Sequence, residues 1–204
     1  VNIKNSSYKI NFDEAMAGLR QYASTMYQKK DTDSVRFKSS DQVDSENPEK
    51  YVIGKTGSVK VIECVENVNN IINIKASDLK KWADNVQITG LGDTGSVTFN
   101  IKYDVAQEFT KPHFTINGTG TGGYDVTGGR ILLNFGTQQG EITFGELYSG
   151  TILAPNATVD IYATHNGSVF ADTVENIKGE IHKNPWKPGN EQKPASVKVT
   201  LKGT

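Results

Sequence analysis

The sequence predicts a mostly β chain wound as a β-solenoid, right-handed and β-helix-like, with one long α-helix packed alongside. Three observations predict it. Apolar residues supply 36% of the 204 residues and mean hydropathy is −0.47, which suits a thin, elongated core better than a large spherical one. Twenty glycines, with abundant Asn, Thr and Ser between short β-branched runs, favour many turns and short strands. Finally, Gly150-Thr151-Ile152-Leu153-Ala154 recurs as Gly167-Ser168-Val169-Phe170-Ala171, an offset of 17 residues, as successive coils would.

The helix is expected over residues 12–30. Asn11 is its N-cap, Asp13 and Glu14 sit in the first turn, and Lys29 and Lys30 close the last. Phe12, Ala15, Met16, Leu19, Ala23, Met26 and Tyr27 recur at spacings of three and four and form an apolar stripe for packing on a core. A membrane-surface helix is the weaker alternative, because the polar face is not strongly basic. Residues 31–50 are polar, with a short strand at 35–37. Strands follow at 51–53, 59–65 and 71–74, and a short helix at 77–85 is capped by Ser77 with Leu79 and Trp82 inward. Further strands are expected at 86–88, 97–103, 114–116, 131–135 and 141–144, with a Gly- and Thr-rich turn region at 118–129.

The repeated pentads carry most of the architecture. Ile152 aligns with Val169, Leu153 with Phe170, Ala154 with Ala171, and Val159 nearly with Val174. Alternation puts Ile152 and Ala154 on one face and Leu153 on the other, and both faces are apolar. A strand apolar on both sides must be covered on both. The coil interior covers one face, and the helix over 12–30 is the element available for the other. A β-sandwich with two similar strands is the alternative left open. Residues 187–195, rich in Pro and polar residues, read as a linker, and 196–204 as the first strand of a following module.

Several function classes lack their signatures. The formal net charge is −1 with no long basic run, which argues against nucleic acid. No apolar stretch approaches the roughly 18 residues of a membrane span, and residues 1–10 lack the apolar region of a signal peptide. With Cys64 alone, neither an internal disulfide nor a Cys-based zinc cluster can form. His113, His165 and His182 have no metal-type spacing, and there is no Gly-x-Ser-x-Gly elbow or P-loop. No carboxylate pair is singled out for glycoside hydrolysis. Calcium at turns bearing Asp93 or Asp104 is not indicated by any loop pattern. No catalytic residue, metal or cofactor is therefore expected. Sequons stand at Asn5, Asn117, Asn156 and Asn166.

Residues 150–159 (Gly-Thr-Ile-Leu-Ala-Pro-Asn-Ala-Thr-Val), 166–171 (Asn-Gly-Ser-Val-Phe-Ala) and 179–186 (Gly-Glu-Ile-His-Lys-Asn-Pro-Trp), with Ile10-Asn11-Phe12 opening the helix, resemble the choice-of-anchor A family. The motif residues Gly150, Ile152, Ala154, Gly167, Val169, Ala171 and His182 carry the likeness. A more distant likeness links the repeat and flanking helix to ice-binding β-solenoids. The resemblance implies that residues 1–186 form a non-catalytic adhesive domain. It further implies a Gram-positive surface protein, extracellular and cell wall-attached, a monomeric head within a larger chain, taking a host or environmental protein or glycan. His182 would make a structural hydrogen bond near the closing coil. Some such adhesins carry a Cys–Gln thioester, for which Cys64 with Gln138 or Gln139 are the candidates, an unreactive strand thiol being the favoured alternative. Ice binding, a solenoid carbohydrate-active enzyme and a structural spacer are the rival functions. For ice binding, Thr151, Thr158 and Ser168 offer only a fragment of a regular face.

Overall fold

The computed structural model describes residues 11–40, 46–47, 49–103, 108–120 and 126–191. Ile10, Asp104, the linker beyond 191 and the strand expected after it lie outside the described residues. Within them, α1 (Phe12–Tyr27) is followed by β1 (Arg36–Lys38), β2 (Val52–Ile53), β3 (Val61–Glu63), β4 (Asn69–Lys75), the one-turn helix α2 (Ala76–Leu79), β5 (Asn85–Thr89) and β6 (Ser96–Lys102). Next come β7 (Glu108–Phe109), β8 (His113–Ile116), β9 (Thr119–Gly120), a 3₁₀ turn at Val126–Arg130, β10 (Ile131–Asn134) and β11 (Glu141–Phe144). The chain closes with β12 (Tyr148–Ser149), β13 (Thr151–Ile161), β14 (His165–Asn166), β15 (Val169–Ile177) and β16 (Ile181–His182).

The β-branched runs bury themselves by stacking in parallel. β3, β5 and β8 pair in parallel, with β1, β2 and β9 antiparallel at the flanks. β4, β6, β10, β13 and β15 stack in that order in a curled sheet, a half-barrel that β11 and β7 extend beside the second half of β13. β12, β14 and β16 form a third parallel set. A sandwich, whose sheets are antiparallel, is thereby set aside.

β13 and β15 pair as Ile152↔Val169, Leu153↔Phe170, Ala154↔Ala171 and Val159↔Val174, with a register shift between Ala154 and Thr158. The shift absorbs the difference between the 17-residue offset of the pentads and the shorter one of the two valines. Ile152 and Ala154 point into the main core with Ile72, Phe99 and Leu133, whereas Leu153 joins Leu132 and Ala23 of α1 in a second cluster. The glycines of the pentads stack on each other: a Cβ on Gly167 would lie 2.0 Å from the Gly150 carbonyl oxygen. Gly150 itself has φ +117°, which an L side chain rarely adopts.

α1 departs from expectation at both ends. The Asn11 carboxamide accepts the Glu14 N–H at 3.2 Å, but the helix stops at Tyr27, so Lys29 and Lys30 lie beyond it. The reason is tertiary: Asn73 donates to the Lys29 carbonyl, and Asp31 and Thr32 accept from the N–H groups of Asn73 and Ile71. Phe12, at 74% exposure, and Ala15 face solvent, so only the later part of the apolar stripe is buried. The short second helix spans Ala76–Leu79 with Lys75, not Ser77, at its N-cap, while Leu79 and Trp82 are buried.

Part of the grip on α1 and its exit is polar. Asn134, Asn100 and Asn73 occupy one register column of β10, β6 and β4. Asn134 Nδ2 donates to Asn100 Oδ1 at 2.8 Å, and Asn100 Nδ2 to Asn73 Oδ1 at 3.0 Å. The same three amides donate to the carbonyls of Ala23, Met26 and Lys29 at 3.0, 2.8 and 3.0 Å. Three helical residues rise about 4.5 Å, close to the roughly 4.8 Å between strands. The Ala23 and Met26 carbonyls of α1 therefore meet β10 and β6, and the Lys29 carbonyl, two residues past the helix end, meets β4.

Candidate functional site

With α1 seated on the asparagine column, the outer face of the sheet keeps a groove on each flank of the helix. The first lies between α1, the start of β4 and residues 188–191, and encloses about 400 Å³. Tyr22 and Lys29 line it from α1 and its exit, Met26 and Ile71 supply apolar surface, and Asn69 and Glu191 supply polar groups. The 186–191 strap is tied down: Trp186 Nε1 donates to Tyr22 Oη at 3.2 Å, Gly189 N to Ser96 Oγ at 2.7 Å, and Asn69 N to the Asn190 carbonyl at 2.7 Å. Residues 187–191 belong to the segment expected as a linker, and they lie against the body.

The carboxylates of this groove already have partners. Asp31 accepts from Asn73 and from Lys55, and Glu191 from Lys29. Burial alone would raise the Asp31 pKa, but the hydrogen bonds from Lys55 and Asn73 hold it below the usual carboxylate range. The Lys29 hydrogen bond likewise lowers Glu191. A general acid needs the opposite shift. The groove offers one aromatic ring, an apolar floor and paired charges, a lining that holds a polar ligand.

The second groove, about 390 Å³, flanks α1 on the side of the strand ends. Lys75 and Lys102, register neighbours on β4 and β6, stand at its edge with Lys55, Asp78 and the Tyr27 ring.

The residues singled out from sequence fall elsewhere. The Cys64 backbone N–H donates to Thr89 O, and burial pushes the thiol up to about 12. Arg130, whose positive charge acts on Cys64, bonds the Gly95 carbonyl just before β6. Gln138 bonds Tyr103 N and the Ile101 carbonyl at the far end of that strand. Seven strand residues, about 20 Å, separate the two ends, so the structure does not bring Cys64 and Gln138 together. Gln139 is exposed. His182 meets Asn166 Oδ1 at 2.7 Å and Glu180 Oε2 at 2.8 Å. His165 is buried, which lowers its pKa to about 4. His113 lies 3.7 Å from Glu146. Of the threonine fragment, Thr151 is buried, while Thr158 and Ser168 are half-buried. Among the described residues, no three His, Cys, Asp or Glu side chains cluster to hold a metal ion, and no helix is long and apolar enough to cross a membrane.

Sequence reading missed the asparagine column and both lysines. The signal for the column was present, because Ile72-Asn73-Ile74, Phe99-Asn100-Ile101 and Leu133-Asn134-Phe135 each place one amide among inward apolar residues. The lysine pair left no signal, since the two residues are 27 apart and meet only through register.

Residues 2–183 match the family described as "Putative Ice-binding-like adhesive domain". No curated protein and no solved structure matches the chain.

Proposed function

The chain belongs to the ice-binding-like adhesive domain family, and from that premise we propose that it is a non-catalytic adhesive domain that holds a neutral glycan in the groove between α1 and residues 188–191. The observation that carries this reading is the lining of that groove. Tyr22 provides a ring for a sugar face, Met26 and Ile71 an apolar floor, and Asn69 and Lys30 polar edges. Its carboxylates are committed to other side chains. The α1 grip by Asn73, Asn100 and Asn134 makes one wall stiff, which reduces the ordering lost on binding.

On the same reading the coil is a right-handed β-solenoid, supported by the parallel registers of all three strand sets. The protein is extracellular and attached to a Gram-positive cell wall, a choice-of-anchor A type monomeric head followed by a further module. Family membership supports the adhesive, outward-facing role, and the motifs at 150–159, 166–171 and 179–186 support the finer placement.

A glycan array followed by titration of the best neutral oligosaccharide tests the proposal. Tyr22→Ala is expected to weaken binding about tenfold or more, the scale of one lost ring contact, with the folded circular dichroism spectrum retained. Equal binding by the variant, or an array empty of neutral glycans, overturns it. Ice binding is the second reading, favoured by the in-register pair Thr158 and Thr173 on β13 and β15. Glu141, the exposed register partner of Thr158 on β11, borders that pair and interrupts any flat threonine plane. No thermal hysteresis is therefore expected, and its appearance would exchange the two readings.

A further inference from the structure

Lys75 and Lys102 are Cα partners at the ends of β4 and β6, and both side chains are exposed. Neighbouring strands lie about 4.8 Å apart, so two like charges are held side by side, an arrangement that disfavours the sheet. Many other cations of the chain are spent on acids: Arg20 on Asp172, Lys29 on Glu191, Lys38 on Glu63 and Lys111 on Asp84. The other charges of this groove are spent too. Lys55 is paired with Asp31, and Asp78 with Lys81 at 2.7 Å. Lys75 and Lys102 have no ion pair among the described residues. The nearby C-terminal end of α1 carries only about half a negative charge, against two positive ones. Its groove carries three lysines against one aspartate, whereas the groove on the opposite flank balances Lys29 and Lys30 against Asp31 and Glu191.

We propose that the groove beside Lys75 and Lys102 binds an oxyanion group, a sulfate or phosphate ester carried on a polymeric surface ligand. Two ammonium groups side by side match two oxygens of one such ester, and charge-assisted hydrogen bonds are the strong kind. The volume of about 390 Å³ admits the ester together with the residue that bears it. The Tyr27 ring offers that residue an apolar wall. This site does not rest on the neutral-glycan reading, since it lies on the other flank of α1 and uses none of the same side chains.

The test compares dextran sulfate, inorganic polyphosphate and neutral dextran of matched length by calorimetry on the whole chain at low and at physiological salt. Wild type is expected to bind at least one of the two polyanions and not neutral dextran, with affinity falling as salt rises. The two polyanion arms separate sulfate from phosphate recognition. The double variant Lys75→Gln, Lys102→Gln is expected to lose tenfold or more in affinity, and Lys75→Arg, Lys102→Arg to recover most of it. A control pair of exposed lysines, Lys60→Gln with Lys187→Gln, is expected to bind like wild type. Both critical lysines are exposed, and circular dichroism of the double variant checks that the fold is intact. Polyanion binding undiminished in the double variant, equal loss in the control pair, or no polyanion binding even at low salt overturns the proposal. Tyr22→Ala is expected to leave polyanion binding unchanged, so failure of this site and failure of the neutral groove are told apart.

Discussion

Cys64 and His165 show how burial silences groups that sequence alone presents as candidates. The Cys64 thiol, pushed up to about 12, carries almost no thiolate at neutral pH. It is expected to resist a thiol reagent such as DTNB at pH 8 in the folded protein and to react once unfolded in urea. The intact mass is expected to show no loss of ammonia, and such a loss would restore the thioester. His165 is 1% exposed, and its pKa falls to about 4 because burial disfavours the imidazolium. Between the unfolded value near 6.5 and the folded value near 4, the unfolded state holds the extra proton. Stability is therefore full above pH 6.5 and falls as pH drops through that window, by on the order of 3 kcal/mol in total. Urea midpoints at pH 7 and pH 4.5 measure the loss, and His165→Leu is expected to flatten it. A pH-independent midpoint in the wild type would refute the assignment. Sequence named both residues, yet their chemistry is set by neighbours that sequence does not reveal.

Helix α1 is the element whose docking decides where ligands can sit, because both grooves exist only while it stays on the sheet. Apolar burial from the helix is small, resting on Ala23, Met26 and half-buried Leu19. The asparagine column therefore carries a large share. Asn100→Ala removes the donor to the Met26 carbonyl and strands partners on Asn73 and Asn134. The expected loss is about 2–4 kcal/mol, since buried groups left without partners are the costly case. Thermal or chemical unfolding measures it, and a loss under about 0.5 kcal/mol would show that α1 is held by packing alone. The helix itself was legible from its cap and stripe. Its true end at Tyr27 was not, because the chain leaves the helix to bond Asn73 and Ile71, residues more than 38 positions away.

Across the whole molecule, the strands of the large sheet follow one another at unequal spacings. The pairs Asn69↔Ser96, Val97↔Ile131, Leu132↔Thr151 and Ile152↔Val169 are 27, 34, 19 and 17 residues apart. Only the last pair keeps similar residues at matching positions, Gly-Thr-Ile-Leu-Ala over Gly-Ser-Val-Phe-Ala, so the sequence showed one repeat and not five strands in a stack. The stack is also asymmetric at its ends. Asn190 pairs at the start of β4, whereas β15 leaves Val174 at 38% and Ile177 at 54% exposure. Val159 and Val174 share one register column, yet Val159 is fully buried. Val159→Ala is expected to destabilise by about 2–3 kcal/mol and Val174→Ala by about 1 or less. Equal effects in denaturant unfolding would mean that β15 is covered in solution.

The strand-rich class, the capped amphipathic helix, the stacking of the two pentads and the two-sided burial of Leu153 and Ile152 are all written in local periodicity. Tertiary structure alone decided which distant residues share a column, and so placed the asparagines under α1, Lys75 beside Lys102, and Cys64 away from Gln138. The physical reason is that parallel register is set by the length of the intervening loops, and loop length leaves no mark on the pattern of the strands it joins.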